Sequence, residues 1–118
     1  MIYRNEDQMK VDQKGHTTII KDTEGDSALF LQKVTDQFNS YKENNIILDI
    51  SHDQSVDIKA IKNFVDLAKK FKKEKKSFVI VADGIDFNEV PHTLHVVPTI
   101  LEAHDLIEME EIERDLGF

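Results

Sequence analysis

The sequence predicts a single α/β domain built on a mixed β-sheet, with helices packed against the sheet. Three observations carry this prediction: a hairpin pattern opens the chain, apolar β-branched runs then alternate with amphipathic helical periods, and a capped helix ends it. A hairpin makes an antiparallel pair, whereas strand–helix–strand units make right-handed parallel crossovers. The predicted order is therefore β-β-α-β-α-β-β-α.

Composition restricts the class of protein. The chain has 118 residues, 40% of them hydrophobic, which is enough for one domain with its own core. Residues 1–8 are polar and predict a flexible N-terminal extension, which leaves the domain to residues 9–118. The absence of cysteine excludes disulfides and thiolate metal sites and fits a cytoplasmic location. No apolar run approaches the ~20 residues that span a bilayer, so no membrane partner is expected. The net charge of −8 argues against general nucleic-acid binding.

The first half of the chain predicts two strands, a helix and a buried strand. The stretch "MKVDQKGHTTIIKD" is typical of a hairpin, with Lys14 and Gly15 at its turn. Asp26 or Ser27 can cap the next helix, whose apolar spacing continues to about Tyr41. The uninterrupted apolar run of "NIILDIS" then predicts a strand that is buried on both faces.

The second half predicts two strands between two helices. "SFVIVAD" is a buried strand, "IDFNEVPHTL" is too irregular for a helix, and "LHVV" is a short strand. Thr99 and Glu102 form the T-x-x-E capping box of the last helix, which Gly117 ends. The helix before "SFVIVAD" has the apolar face Ile58, Ile61, Phe64, Val65, Ala68 and Phe71. The predicted buried stripe of the last helix is Ile100, Ala103, Leu106, Ile107 and Ile112.

Three evenly spaced aspartates follow the buried strand: Asp49, Asp53 and Asp57, with His52 and Ser55 between them. Strand-to-helix loops often hold chemistry, so this spacing raises an acidic phosphoryl site or a Mg²⁺ site as hypotheses. The simpler interpretation is that they are strand-end and pre-helix polar residues, with Asp57 favourable near a helix N-terminus. A receiver-type phosphoacceptor at Asp49 remains an alternative, although the acidic pair and the lysine that such a site uses are missing.

Several of these stretches resemble the STAS domain, the fold of bacterial anti-sigma-factor antagonists. "NIILDIS" is similar to the central strand of that family, and Asp57, nine residues after Leu48, stands where the family has the aspartate of its D-[ST]-x-G motif. "VVPTILEA" is similar to its last strand and the start of its final helix. The resemblance covers residues 9–116. It implies a STAS-like fold and a non-enzymatic regulatory module that binds a protein partner, such as an anti-sigma factor or another regulatory protein.

The motif departs from the family at the residues that would carry a phospho-switch. In the family's switch proteins, a Ser or Thr directly after the aspartate is phosphorylated, which abolishes docking. Here Ile58 and Ala60 replace that hydroxyl residue and the motif's glycine, so no switch can operate at residue 58. Ser55 is the nearest hydroxyl, but it is well placed to cap the following helix. The resemblance then implies constitutive docking through residues 51–59 and the face of the helix that follows. The predicted partner-binding residues are His52, Asp53, Ser55, Asp57, Ile58 and Lys59.

The remaining patterns predict neither catalysis nor a bound cofactor. His92 and His95 lack a third ligand for a metal ion, and neither a nucleophile–base pair nor a glycine-rich phosphate loop is present. Residues 69–76 are basic, whereas residues 102–115 hold seven acids against Arg114. These opposite charges would allow pairing between subunits of a homodimer. Binding of a small molecule near residues 83–90 is a further alternative.

Overall fold

The structure is a computed structural model and describes residues 9–117. Five strands form one sheet in the order β1-β2-β3-β4-β5. The first pair is antiparallel and each later pair is parallel, so the predicted α/β class with a mixed sheet and an opening hairpin is confirmed. The predicted N-terminal extension, residues 1–8, lies outside the described residues. The strands are β1 (Met9–Lys14), β2 (Thr17–Asp22), β3 (Asn45–Asp49), β4 (Phe78–Val81) and β5 (His95–Val97).

The opening hairpin turns one residue later than the sequence predicts. Lys14 still pairs with Thr17, so the two turn residues are Gly15 and His16 rather than Lys14 and Gly15. Gly15 has a φ of +61°, a left-handed conformation that glycine adopts without steric cost. The prediction that Lys14 lies in the turn was therefore wrong by one position.

The first two predicted helices are each divided in two. Gln37 separates α1 from α2, because its φ of −105° and ψ of 19° leave the helical region. Asn63 and Phe64 separate α3 from α4, and their N–H groups bond to residues three positions earlier, which tightens the turn. A 3₁₀ turn at Phe87–Glu89 lies between β4 and β5. The sequence predicted no helix in this segment, and the structure has no α-helix there. The helices are α1 (Ser27–Asp36), α2 (Phe38–Tyr41), α3 (Ile58–Lys62), α4 (Val65–Lys73) and α5 (Ile100–Asp115).

The sheet has a core on each face. Alternate residues of a strand point to opposite faces, so Ile46 and Leu48 of β3 join the core beneath α1 and α4, whereas Ile47 joins the core beneath α5. The second core is small, and Ala103 and Ile107 are the fully buried residues that α5 contributes to it. Because both faces of β3 are covered, its sequence is apolar without alternation.

The last helix begins as predicted but buries a different face near its end. The Thr99 hydroxyl accepts a hydrogen bond from the Glu102 N–H at 3.2 Å, which confirms Thr99 as the N-cap, and it donates to the Glu102 carboxylate at 3.0 Å. In the capping box that the sequence predicts, the carboxylate would instead accept from the Thr99 backbone N–H. Ile107 is 3% exposed, but Ile112 is 58% exposed, so its assignment to the buried stripe was wrong. Five positions of an α-helix turn about 140° around its axis, which carries Ile112 away from the sheet.

The solvent-facing side of α5 mixes acids with large apolar side chains. The exposed large apolar residues of the helix and its C-cap are Leu101, Met109, Ile112 and Leu116. Within residues 9–117, no helix is long and apolar enough to cross a membrane. The cytoplasmic location itself stays a prediction.

Candidate functional site

The segment after β3, residues 51–59, which ends with the first two residues of α3, is called the docking loop below, and two aspartates fold its first half. Asp49 Oδ1 accepts hydrogen bonds from the N–H of Ser51 at 3.0 Å and from its hydroxyl at 2.6 Å. Asp53 Oδ1 accepts the same pair from Ser55, also at 3.0 and 2.6 Å. Short aspartate side chains often hold turns in this way, by bonding to backbone two residues ahead. The loop therefore consists of two similar turns in succession.

Asp53 also joins the docking loop to the start of α1. Its second oxygen, Oδ2, accepts a hydrogen bond from the N–H of Ser27 at 3.1 Å. Asp53 is only 9% exposed, and its pKa is lowered chiefly by the Ser55 hydroxyl, against the opposing effect of burial. Both oxygens already accept hydrogen bonds from within the protein, so the role that the structure shows for Asp53 is to hold the loop. Its assignment as a partner-binding residue stays a prediction.

Asp57 caps α3, and Ser55 does not. Asp57 precedes the first helical residue, and its Oδ1 accepts a hydrogen bond from the Ala60 N–H at 2.9 Å. The expectation that Asp57 is favourable at a helix N-terminus is confirmed. The Ser55 hydroxyl lies two residues too early for that role and donates to Asp53 instead. The alternative prediction of Ser55 as the cap was wrong.

The other predicted residues of the docking loop reach solvent. His52, Ser55, Asp57 and Lys59 are exposed, and Ile58 is half-buried. The His52 ring lies beside Gly25 of the loop before α1, where an added Cβ would approach its Cδ2 to 3.7 Å. The structure thus presents four polar side chains and part of one apolar side chain on a loop whose backbone is fixed by hydrogen bonds.

The arrangement gives no metal centre and does not have the topology of a receiver domain. Among residues 9–117, no group of three or more histidines and acids could hold a metal ion. Receiver domains have the strand order 2-1-3-4-5, whereas this sheet keeps the chain order and starts with an antiparallel hairpin. Asp49 is 7% exposed and already carries two hydrogen bonds from Ser51.

The predicted small-molecule pocket at residues 83–90 corresponds to a shallow depression with both polar and apolar walls. Its volume is about 290 Å³, and only Phe87 and Val90 of that segment line it. The other lining residues come from the segment before β5, from β5 and from α5: Pro91, His92, Leu94, His95, Val96, Val97 and Leu106. Two valines and two leucines in that list offer contacts for an apolar group, and the two histidines add polar groups.

A larger cleft, which the sequence did not predict, lies where β4 and β5 begin and shares His92 and His95 with that depression. Its volume is about 710 Å³, and it is called the basic cleft below. The basic run of residues 69–76 indicated a concentration of positive charge in this region. The opposite wall of the cleft comes from the segment around β5 and from α5, which are distant in sequence. Its lining residues are Ala68, Lys69, Lys72, Lys75, Lys76, Ser77, Phe78, His92, Thr93, His95, Glu110, Glu113, Arg114 and Gly117.

Glu110 forms the polar centre of the basic cleft. Its carboxylate accepts a hydrogen bond from the Ser77 hydroxyl at 2.5 Å and lies 3.1 Å from His95 Nε2. The bond from His95 is the main reason why the pKa of Glu110 is lowered, and the same bond raises the pKa of His95. Lys72 lines the same cleft as His95, and its positive charge acts in the opposite direction on the pKa of His95.

A second set of hydrogen bonds joins the end of α5 to the starts of β3 and β4. Asn45 Oδ1 accepts from the Ser77 N–H at 2.8 Å and from the Arg114 guanidinium at 3.2 Å. Asn45 Nδ2 donates to the Glu111 carboxylate at 2.6 Å. The last turns of α5 therefore face polar strand starts, which accounts for the exposure of Ile112 on their other side.

No protein-family model matches the chain, and no curated protein matches it in sequence. The resemblance to STAS domains therefore stays a prediction, and the function has to be argued from the geometry of the chain's own residues.

Proposed function

We propose that this protein is a non-enzymatic interaction module that binds a regulatory protein partner through the docking loop. The observation that carries the proposal is that two groups of side chains have different roles. Asp49, Asp53 and Asp57 accept hydrogen bonds that hold the backbone of the loop, while its remaining polar side chains face solvent. A loop already held in one shape loses little conformational entropy when a partner binds. The STAS-like resemblance supports the same surface and a partner of the anti-sigma class.

The carboxylates of the loop favour docking over acid–base chemistry. Catalytic acids and bases have pKa values matched to proton transfer near the working pH. The pKa of Asp53 is lowered, which makes its carboxylate a poor base for the Ser55 hydroxyl that donates to it. The Asp53 carboxylate and the Ser55 hydroxyl are hydrogen-bonded to each other within one turn, so both groups stabilise the conformation of the loop.

The surface that remains is suited to a protein. Asp57 and Lys59 supply opposite charges, and half-buried Ile58 lies between them and supplies apolar area. Mixed surfaces of this kind combine apolar contact with polar specificity at the rim of an interface. Because residue 58 has no hydroxyl, binding at this position is constitutive rather than switched by phosphorylation.

Two matched charge substitutions test the proposal. Lys59→Glu changes the docking loop, and Lys10→Glu makes the same change at an exposed position of β1. Tagged wild-type protein retains partners from an extract of the source cells, and quantitative mass spectrometry identifies them. The affinity of the purified partner is then measured by calorimetry. We expect Lys59→Glu to weaken binding at least about tenfold, or ~1.4 kcal/mol, and Lys10→Glu to leave it within about twofold.

Asp57→Asn gives an independent variant, because asparagine can still cap α3 but carries no charge. A partner that binds both loop variants as tightly as wild type would contradict the proposal. Acetyl phosphate with Mg²⁺, followed by intact-mass measurement, tests the receiver alternative. A stable phosphoryl adduct on Asp49 would replace the docking function with a phosphoacceptor function.

A further inference from the structure

The basic cleft concentrates positive charge on an acidic protein. Five permanent cations line it, against two carboxylates, an excess of three positive charges on a chain whose net charge is −8. The cations come from α4, from the turn after it and from α5: Lys69, Lys72, Lys75, Lys76 and Arg114. Such a reversal of local charge attracts anions, and concave walls strengthen the field.

Helix ends account for only part of this charge. Both α4 and α5 end at this edge of the sheet, and the C-terminal end of a helix carries roughly half a negative charge, which lysine side chains can balance. Two helix ends therefore offset about one of the three excess charges. Lys72 lies in the last turn of α4 and can balance the partial negative charge of that helix end. Lys76 follows the helix, so its positive charge is in excess of what the helix end requires.

The carboxylate at the centre of the cleft is already engaged. Glu110 accepts hydrogen bonds from Ser77 and from His95, so its carboxylate oxygens already have partners within the protein. The side chains of Lys72 and Lys76 at the rim are left to face the cleft. The hydroxyl of Thr93, on the other wall, adds a neutral hydrogen-bonding group.

Lys75 has a backbone conformation that glycine usually occupies. The Lys76 N–H bonds to the Phe71 carbonyl and the Lys75 N–H to the Lys72 carbonyl, which is the Schellman pattern with Lys75 at its left-handed position. Its φ is +60°, and it is the one non-glycine residue of the described chain with a positive φ. A residue held in an unfavourable conformation at a cleft rim points to a functional reason for its side chain.

We propose that the basic cleft binds a small ligand that carries a phosphate or pyrophosphate group. The volume of about 710 Å³ lies within the range of small-molecule sites, roughly 300–1,000 Å³. Lysine is a common phosphate ligand because its ammonium group acts as a compact point charge. A long polyanion fits less well, because Glu113 lines the cleft and α5 continues away from it as an acidic surface.

This site is separate from the proposed docking surface. The docking loop follows the carboxyl end of β3, whereas the basic cleft lies where β4 and β5 begin. Ligand binding in the cleft and partner binding at the loop can therefore succeed or fail independently. A variant of one site serves as a control for the other.

Calorimetric titration of the full chain with inorganic pyrophosphate at low ionic strength tests the inference. We expect saturable binding to one site, with a Kd below about 1 mM, or ~4 kcal/mol of binding free energy. Lys72→Gln/Lys76→Gln removes two charges from the cleft and should weaken binding at least about tenfold. Lys62→Gln/Lys73→Gln removes two exposed charges from the same helical segment without touching the lining, and should keep binding within about twofold of wild type.

Three results would overturn the inference. One is a titration that shows no saturable binding of pyrophosphate. Another is an equal loss of binding in the two double variants, since diffuse attraction to the protein would then explain it. The third is a single-stranded oligonucleotide that binds more tightly than pyrophosphate and needs the same two lysines, which would assign the cleft to nucleic acid. Circular dichroism of each variant establishes that it is folded.

Discussion

The carboxylate of Asp53 accepts a hydrogen bond from the backbone N–H of Ser27, 3.1 Å away and 26 positions earlier in the chain. Ser27 is the first residue of α1 and is 7% exposed. The N–H groups of a helix's first turn have no partner within the helix, so a buried one needs an acceptor from elsewhere. Asp53 supplies that acceptor and at the same time closes the turn at Ser55.

Asp53→Ala should therefore lower the free energy of unfolding by about 1–3 kcal/mol, because it leaves a buried N–H without a partner. Urea denaturation followed by circular dichroism measures the effect. Gln54→Ala is the control, because Gln54 is the exposed neighbour, and it should change stability by less than about 0.5 kcal/mol. Equal midpoints for the two variants would show that Asp53 does not hold the loop against α1.

The bond between His95 and Glu110 makes stability depend on pH in a defined window. The pKa of His95 is raised in the folded protein, so its contribution is complete below the ordinary value of 6.5 and is lost as pH rises through the folded value. The pKa of Glu110 is lowered, so its contribution is complete above the ordinary value of 4.5 and is lost as pH falls through the folded value. The pair therefore stabilises the protein most between pH 4.5 and 6.5.

Measurements of unfolding free energy in urea between pH 5 and 8 test this window. Wild type should lose no more than about 1 kcal/mol from this pair as pH rises, because His95 is 48% exposed and solvent screens the interaction. Lys72 and Arg114 are the other charged groups that act on the pair, Lys72 on His95 and Arg114 on Glu110. His95→Gln should remove the loss, whereas His16→Gln, in the exposed hairpin turn, should retain it. An unchanged pH profile in His95→Gln would contradict the assignment.

The sequence was most informative where one local pattern decided the structure. The apolar run of β3 predicted a strand covered on both faces, and Thr99 with Glu102 predicted the start of α5, since each depends on neighbouring residues alone. The division of the first predicted helix at Gln37 was not predicted, because the helical spacing of apolar residues continues across that position. The helix is interrupted there by the backbone angles of Gln37 alone.

Features that depend on distant residues could not be predicted. The three aspartates showed the position of the docking loop, but the inward role of Asp53 depends on the packing of α1 against the loop. The basic run of residues 69–76 was visible, but the cleft exists because α5 returns to the same edge and brings Arg114 there. A helical period predicts that one side of a helix is buried but not how far the sheet beneath it extends.

Ile107 and Ile112 of α5 provide a matched test of which side of that helix carries stability. Ile107→Ala should cost about 2–5 kcal/mol, because this side chain is buried against β3 and β4 and its loss leaves a cavity. Ile112→Ala should cost less than about 0.5 kcal/mol, because its side chain is 58% exposed. Chemical denaturation of both variants under one condition gives the comparison. Similar costs for the two would mean that α5 is rotated from the orientation described here.

Lys75 allows stability and binding to be separated at one residue. A left-handed conformation costs an L-residue roughly 1–2 kcal/mol, and glycine avoids that cost but adds about 0.5–1 kcal/mol of backbone entropy in the unfolded chain. Lys75→Gly should therefore raise the free energy of unfolding by about 0.5–1 kcal/mol, measured by urea denaturation, while it weakens pyrophosphate binding in the basic cleft. Lys75→Ala removes the same charge but keeps the unfavourable φ of +60°, so it should weaken binding without the gain in stability. Lower stability in Lys75→Gly than in wild type would show that the lysine side chain contributes packing that outweighs its backbone cost.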